Sequence, residues 1–166
     1  MARAGRPNKS DLRVDALRYE IQNGDNEKAK QLLSEVGIDA CDSYLRTALI
    51  YSTFYDNMDL LAWLIDNGAN INHQDRNGYS ALHFAGQEKK LRPAKLLVDK
   101  GANLELEDIH GNTPIWNTIF NSKGDTQIVD FYIAKGANLN HVNKHGKTPR
   151  QMAEIITGFD LPTIEK

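Results

Sequence analysis

The 166-residue sequence holds a single cysteine, Cys41, so neither an internal disulfide nor a thiolate-lined metal site can be built from it; a reducing compartment is the expected setting. It has no stretch of about 18 consecutive apolar residues, the minimum for a membrane-crossing helix. The start, MARAGRPNKSDLR, is polar and basic with no apolar run behind it, against a secretory leader. A cytoplasmic protein that does not engage a membrane is therefore expected. No charge of one sign dominates: 20 Lys and Arg stand against 22 Asp and Glu, a net −2, which leaves no global field to gather nucleic acid or anionic lipid. The phosphate loop GxxxxGK, the GxGxxG turn, the HExxH pair and the nucleophile elbow are all missing. A protein that is not an enzyme, with no cofactor and no metal, is the expectation.

What is there is ordinary in bulk and regular in arrangement. An apolar fraction of 40% and a charged fraction of 25% fit one globular domain with a continuous core. The segment DNGANINHQDRNGYSALHFA, from Asp66, recurs as DKGANLELEDIHGNTPIWNT from Asp99 and as AKGANLNHVNKHGKTPRQMA from Ala134. Gly68 to Gly101 is 33 residues and Gly101 to Gly136 is 35; the same 33 and 35 separate Gly78, Gly111 and Gly146. The two extra residues are expected near Asn121 to Gly124. Gly37 lies 31 before Gly68, so the first junction is two residues short.

Each period reads as a turn followed by two helices. Thr113-Pro114 and Thr148-Pro149 place a hydroxyl at a helix N-cap and a proline at the first helical position; Thr47 and Ser80 take the same cap without proline. Apolar residues then recur at helical spacing, as in Leu60, Leu61, Leu64 and Ile65, in Leu96 and Leu97, or in Ile128, Val129, Tyr132 and Ile133. Asp25 and Asp125 read as further caps. One such unit cannot bury its apolar faces alone, so neighbours must stack in a line. The expected fold is an all-α solenoid of helix–turn–helix units joined by β-turn loops. Its units fall at about 10–41, 42–74, 75–107, 108–142 and 143–157, between tails 1–9 and 158–166.

The motifs DRNGYSALHFA, DIHGNTPIWNT and NKHGKTPRQMA, each preceded by GANIN, GANLE or GANLN in its phase, resemble the ankyrin repeat. The resemblance covers roughly residues 12 to 156. Only His83 stands at the histidine of that motif; Ile50, Trp116 and Gln151 replace it elsewhere. Leu45 takes the place of the turn glycine in the second unit, so that turn is expected to be less regular. The first unit lacks the capping motif and is expected to close the N-terminal end of the stack.

The resemblance implies a concave face, formed by turn tips and first helices, that binds a partner protein. Position by position it selects Tyr44, Arg46, Arg76, Asn77, Tyr79, His110, Asn112, Lys144, His145 and Lys147 at the tips, with Phe54, Tyr55, Glu88 and Phe120 on the first helices. Tyr44, Phe54, Tyr55, Tyr79 and Phe120 are rings that folding is not expected to need, in a chain only 8% aromatic. Exposed rings are the residue class that forms binding hot spots. Arg46, Arg76, Lys144 and Lys147 would steer in a partner with an acidic patch. The fourth unit, TPIWNTIFNSKGD, is similar to that of small bacterial ankyrin proteins found beside polymorphic toxins, which implies an immunity role with a toxin domain as partner. The chain is expected to be monomeric when unbound; the alternatives are a general cytosolic scaffold or regulatory adaptor and, less favoured by the residues, a hydrolase or a nucleic-acid binder.

Two weaker signals are set aside. His141 and His145 stand four apart but in a turn segment, where solvent-facing histidines are expected rather than metal ligands. Arg3 to Pro7 resembles the core of an AT-hook, a single short match that does not make the chain a nucleic-acid binder.

Overall fold

The computed structural model describes residues 12–156; the two tails and the Arg3–Pro7 motif lie outside them. Among the described residues the chain forms helices α1 (Leu12–Asn23), α2 (Asn26–Val36), α3 (Ala48–Phe54), α4 (Met58–Asp66), α5 (Ala81–Gln87), α6 (Leu91–Asp99), α7 (Pro114–Asn121), α8 (Gln127–Ala134) and α9 (Pro149–Ile155). β pairing is confined there to isolated bridges, Cys41 with Thr47 and Gln74 with Ser80. The all-α solenoid is the architecture seen. The odd-numbered helices pack against one another in one row, α1 to α9, and α4, α6 and α8 pack in a second.

The core runs continuously along the stack. Leu17 and Ile21 of α1, Leu49 and Ile50 of α3, Leu60 and Leu64 of α4, Leu97 of α6, Ile115 and Ile119 of α7 and Val129 of α8 are all buried. Each such side chain contributes about 1.5–3 kcal/mol by leaving water. Tyr132 is buried with them, and its hydroxyl donates to Leu82 O, 50 residues away in sequence, at 2.8 Å. Helices α5 and α7 of the first row approach closely at Gly86. A methyl group added at Gly86 would lie 1.9 Å from Thr118 Oγ1, so α5 can meet α7 only with glycine there.

Between one helix pair and the next, every turn tip is held by one acidic or amide side chain. Asp42 Oδ1 accepts from Tyr44 N and Arg46 N, both at 2.8 Å. Asp75 Oδ1 accepts from Asn77 N and Tyr79 N, Asp108 Oδ1 from His110 N and Asn112 N, and Asn143 Oδ1 from His145 N and Lys147 N. In each turn the clamping residue's own N–H donates to the carbonyl four residues on. These are Asx-type turns in which one carboxylate or amide oxygen replaces the water that two loop amides would otherwise bind.

Three details differ from the sequence reading. The turn at Leu45 is as regular as its counterparts: Leu45 adopts φ 60°, close to the 78° of Gly78 and 75° of Gly111, and its N–H donates to Asp42 O at 2.9 Å. The clamp imposes the left-handed conformation on a leucine. Thr113 stands at the N-cap of α7, but its hydroxyl makes no capping hydrogen bond. Asp125 precedes the cap residue Thr126, and its Oδ1 accepts from Gln127 N at 3.2 Å. The two extra residues of the fourth unit fall where expected: residues 122–126 join α7 to α8, whereas the shorter run 88–90 joins α5 to α6.

Left-handed backbone costs a residue with a Cβ roughly 1–2 kcal/mol, part of which glycine gives back through its freer unfolded state. Leu45→Gly is therefore expected to stabilise the fold by about 0.5–1 kcal/mol, read as a higher urea midpoint; a lower midpoint would show that the half-buried Leu45 side chain supplies packing instead.

Candidate functional site

The clamped tips are tied to one another. Arg76 N donates to Tyr44 O, Ile109 N to Asn77 O and Lys144 N to His110 O, at 2.9, 3.0 and 2.9 Å. At the N-terminal end Asp15 of α1 stands in for a preceding tip, accepting from Ser43 N at 2.9 Å. Side chains reinforce the ladder: His73 Nε2 lies 2.8 Å from Leu45 O, Gln74 Nε2 donates to Glu107 O, and His141 Nε2 lies 3.0 Å from Gly111 O. His141 is thus half-buried in the ladder rather than facing solvent, and among the described residues no group of His, Cys, Asp or Glu is placed to hold a metal ion.

Tips and first-row helices together form one face with three hollows. The first, ≈ 520 Å³, lies over α1 and the first tip and is lined by Arg18, Tyr19, Tyr44, Arg46 and Tyr51 among others. The second, ≈ 370 Å³, is lined by Arg46, Asn77, Tyr79, Phe84, Gln87, Ile109 and His110. A third, ≈ 500 Å³, brings Tyr79, Trp116 and Phe120 together with His110, His145 and Lys147 over a floor of amides, and no carboxylate lines it.

The structure sorts the candidate residues. Tyr44 and Phe120 are each 57% exposed and stand on hollows. Phe120 stacks on Trp116 with centroids 5.5 Å apart, and Arg46 lies over the Tyr44 ring at 5.4 Å. His110 and His145 are exposed and lean together at 5.6 Å, beside exposed Lys147. Asn77 is exposed, with its carbonyl in the ladder.

Tyr79, Phe54 and Tyr55 are half-buried, packed on the edge of the core, so folding does use these rings. Tyr79 stacks on His83 at 5.2 Å and meets Phe84 edge-on; Phe54 meets Tyr55 and Phe84. Asn112 is the clearest correction. It is 6% exposed and serves the clamp, donating to Asp108 Oδ2 at 3.2 Å and accepting from Asn143 Nδ2 at 2.7 Å.

The cations are less available than their positions imply. Arg46 pairs with the buried carboxylate of Asp75 at 3.2 Å, Arg76 donates to Ser43 O, and Lys144 Nζ donates to Ile109 O at 2.8 Å. Glu88 is half-buried and accepts from Gln87 Nε2. Phe54, Tyr55, Arg76, Glu88 and Lys144 line none of the three hollows.

Sequence reasoning missed Tyr19, 53% exposed beside Tyr44's hollow, and misread Trp116. Tyr19 belongs to the unit without a turn motif, so no register assigned it to a face. Trp116 stands where the motif has a structural histidine, and an aromatic four residues before Phe120 on one helix is the sequence signal that marks its exposed-face role.

That replacement has a local cost. In the third unit the buried His83 closes the stack: its Nδ1 accepts from Ser80 N at 3.1 Å, which leaves the proton on Nε2 to donate to Asn112 O at 3.1 Å. Gln151 repeats the capping box with Thr148 in the last unit. In the fourth unit Thr113 Oγ1 and Trp116 Nε1 are buried without a hydrogen-bond partner among the described residues. Each such group costs on the order of 1–3 kcal/mol.

With the geometry in view, the comparison with known proteins is direct. The chain belongs to the ankyrin-repeat family: its residues 17–108 match the family model described as ankyrin repeats in three copies. It is 35% identical over 96 residues to chicken inversin, covering 56% of this chain and 9% of inversin. A putative ankyrin repeat protein of fowlpox virus is 30% identical over 130 residues, 78% of this chain and 30% of the viral protein. Human ankyrin repeat and KH domain-containing protein 1 is 28% identical over 103 residues, 62% of this chain and 4% of that protein. The chain thus spans from a few per cent to under a third of these relatives' length.

Burial holds His83 below the ordinary histidine pKa of 6.5, against weaker opposing pulls from Asn112, Asp108 and Asp75. The unfolded chain therefore takes up a proton that the folded chain refuses, and this contribution to stability is full above pH 6.5 and lost as pH falls below it. His83→Gln, which keeps the capping box on the precedent of Gln151, is expected to flatten the fall in urea midpoint between about pH 7.5 and 5.5. An equal fall in both proteins would place the acid-sensitive group elsewhere.

Proposed function

We propose that this chain acts without catalysis, holding one partner protein against the face of turn tips and first-row helices. The observation that carries the reading is the row of hollows bordered by Tyr19, Tyr44 and Phe120, each more than half exposed on a face whose backbone is fixed before any partner arrives. Rigid, exposed aromatics on a pre-ordered surface bind with little loss of conformational entropy. No helix among the described residues is long and apolar enough to cross a membrane. Burial pushes the Cys41 thiol pKa up, which suits a structural rather than a reactive cysteine.

The narrower form of this proposal makes the partner a toxin domain whose active site the face occludes. It requires that the complex abolish the partner's activity, and a bound partner that keeps full activity would reduce the reading to anchoring.

The test begins with recovery of a native partner on the immobilised chain, followed by kinetics with variants. Tyr44→Ala and Phe120→Ala are expected to leave the unfolding midpoint unchanged and to cost about 2 kcal/mol or more of binding through faster dissociation. Because three of the four expected steering cations are engaged within the ladder, affinity should fall only several-fold between about 0.05 and 0.5 M salt. Wild-type affinity in both variants would place the partner on another surface.

A further inference from the structure

We propose that the third hollow receives an apolar side chain of the partner flanked by carboxylates, that is, an acidic peptide segment with one aromatic or leucine anchor. The inference rests on the binding face proposed above and names the chemistry of one subsite within it. Its walls are aromatic: Trp116 and Phe120 stack in parallel, and Tyr79 stands opposite across the amides. Its rim carries Lys147, whose ammonium is exposed, with His110 and His145 beside it.

The carboxylate beneath this hollow is buried and turned toward amide donors. Asp108 is 3% exposed, and its two oxygens accept from His110 N, Asn112 N, Asn112 Nδ2 and, at 3.5 Å, Asn117 Nδ2. A carboxylate arriving at the rim therefore meets cations and amide donors, with no acidic side chain lining the hollow to repel it. The first hollow is different, since Asp15 and Asp42 line it beside its arginines.

The local architecture indicates that the hollow is made at the expense of the stack. The third and fifth units close the first turn of their helix with a capping box, through His83 and Gln151. The second and fourth units lack it, with Ile50 and Trp116 at that position; Thr47 Oγ1 still accepts from Ile50 N at 3.5 Å, whereas Thr113 Oγ1 and Trp116 Nε1 are unpartnered among the described residues. A local rule broken where it creates an aromatic wall marks a site rather than a packing solution.

The test uses the full chain, a displayed library of random heptapeptides, and a Phe120→Ala/Lys147→Glu variant for counter-selection; both side chains are exposed, and an unchanged unfolding midpoint verifies its fold. Trp63→Phe leaves Trp116 as the sole tryptophan, so its emission reports on the third hollow. The expected result is enrichment of peptides with one Phe, Trp or Leu next to Asp or Glu. These should shift Trp116 emission saturably and bind the variant at least about tenfold more weakly. Enrichment of basic or uncharged peptides through the same hollow would overturn the charge assignment. Peptides that bind the variant like wild type but lose affinity in Tyr44→Ala would overturn the subsite while the binding face stands. No enrichment over an unrelated folded control would overturn the subsite, while the binding face stands or falls on the kinetics with the native partner.

Discussion

The structure depends on one repeated contact, a carboxylate or amide oxygen accepting the backbone N–H groups two and four residues further on. Asp42, Asp75, Asp108 and Asn143 each make it, and it converts a loop that would be held by solvent into a turn with internally bonded amides. Burying a polar group is unfavourable unless it is hydrogen-bonded, which explains why three carboxylates can sit nearly inaccessible in a chain of ordinary composition. The clamp is strong enough to hold Leu45 in a conformation that glycine holds elsewhere.

From the clamp follows the face. Once each tip is fixed, its exposed N–H and C=O groups align with those of the next, and the ladder ties tips one period apart into a single surface. His83 couples this ladder to the helices by bonding the Ser80 cap on one side and the Asn112 carbonyl on the other. The core supplies most of the stabilisation and, through α7, places Phe120, while the ladder sets where Tyr44 and Lys147 stand. On the proposed reading, binding energy at such a face would come from what the turn tips and helices display rather than from motion toward a partner.

The repeat, the helix pairs, the proline positions and the site of the two-residue insertion were legible in the sequence, because each is a local signal copied at a fixed period. Which candidate side chains were free to bind was not. Asn112 and Tyr79 occupy exposed-looking positions in the motif, yet one is drawn into the clamp by Asp108 and Asn143, and the other lies on His83 and Phe84. Those contacts cross from one repeat to the next or run between turn and helix, where a single-period pattern carries no information. Arg46 was misjudged for the same reason: its partner, Asp75, belongs to the following unit. Trp116 shows the converse, a departure from the motif that marked an aromatic hollow of the face.

The measurement that tests this account most directly is native-state hydrogen exchange at the tip amides of Tyr44, Asn77, Tyr79, His110 and Lys147. The clamp predicts protection approaching that of core helix amides, although several of these residues are solvent-exposed. Exchange at rates typical of open loops would mean that the tips are mobile and that no pre-ordered face exists for a partner to meet.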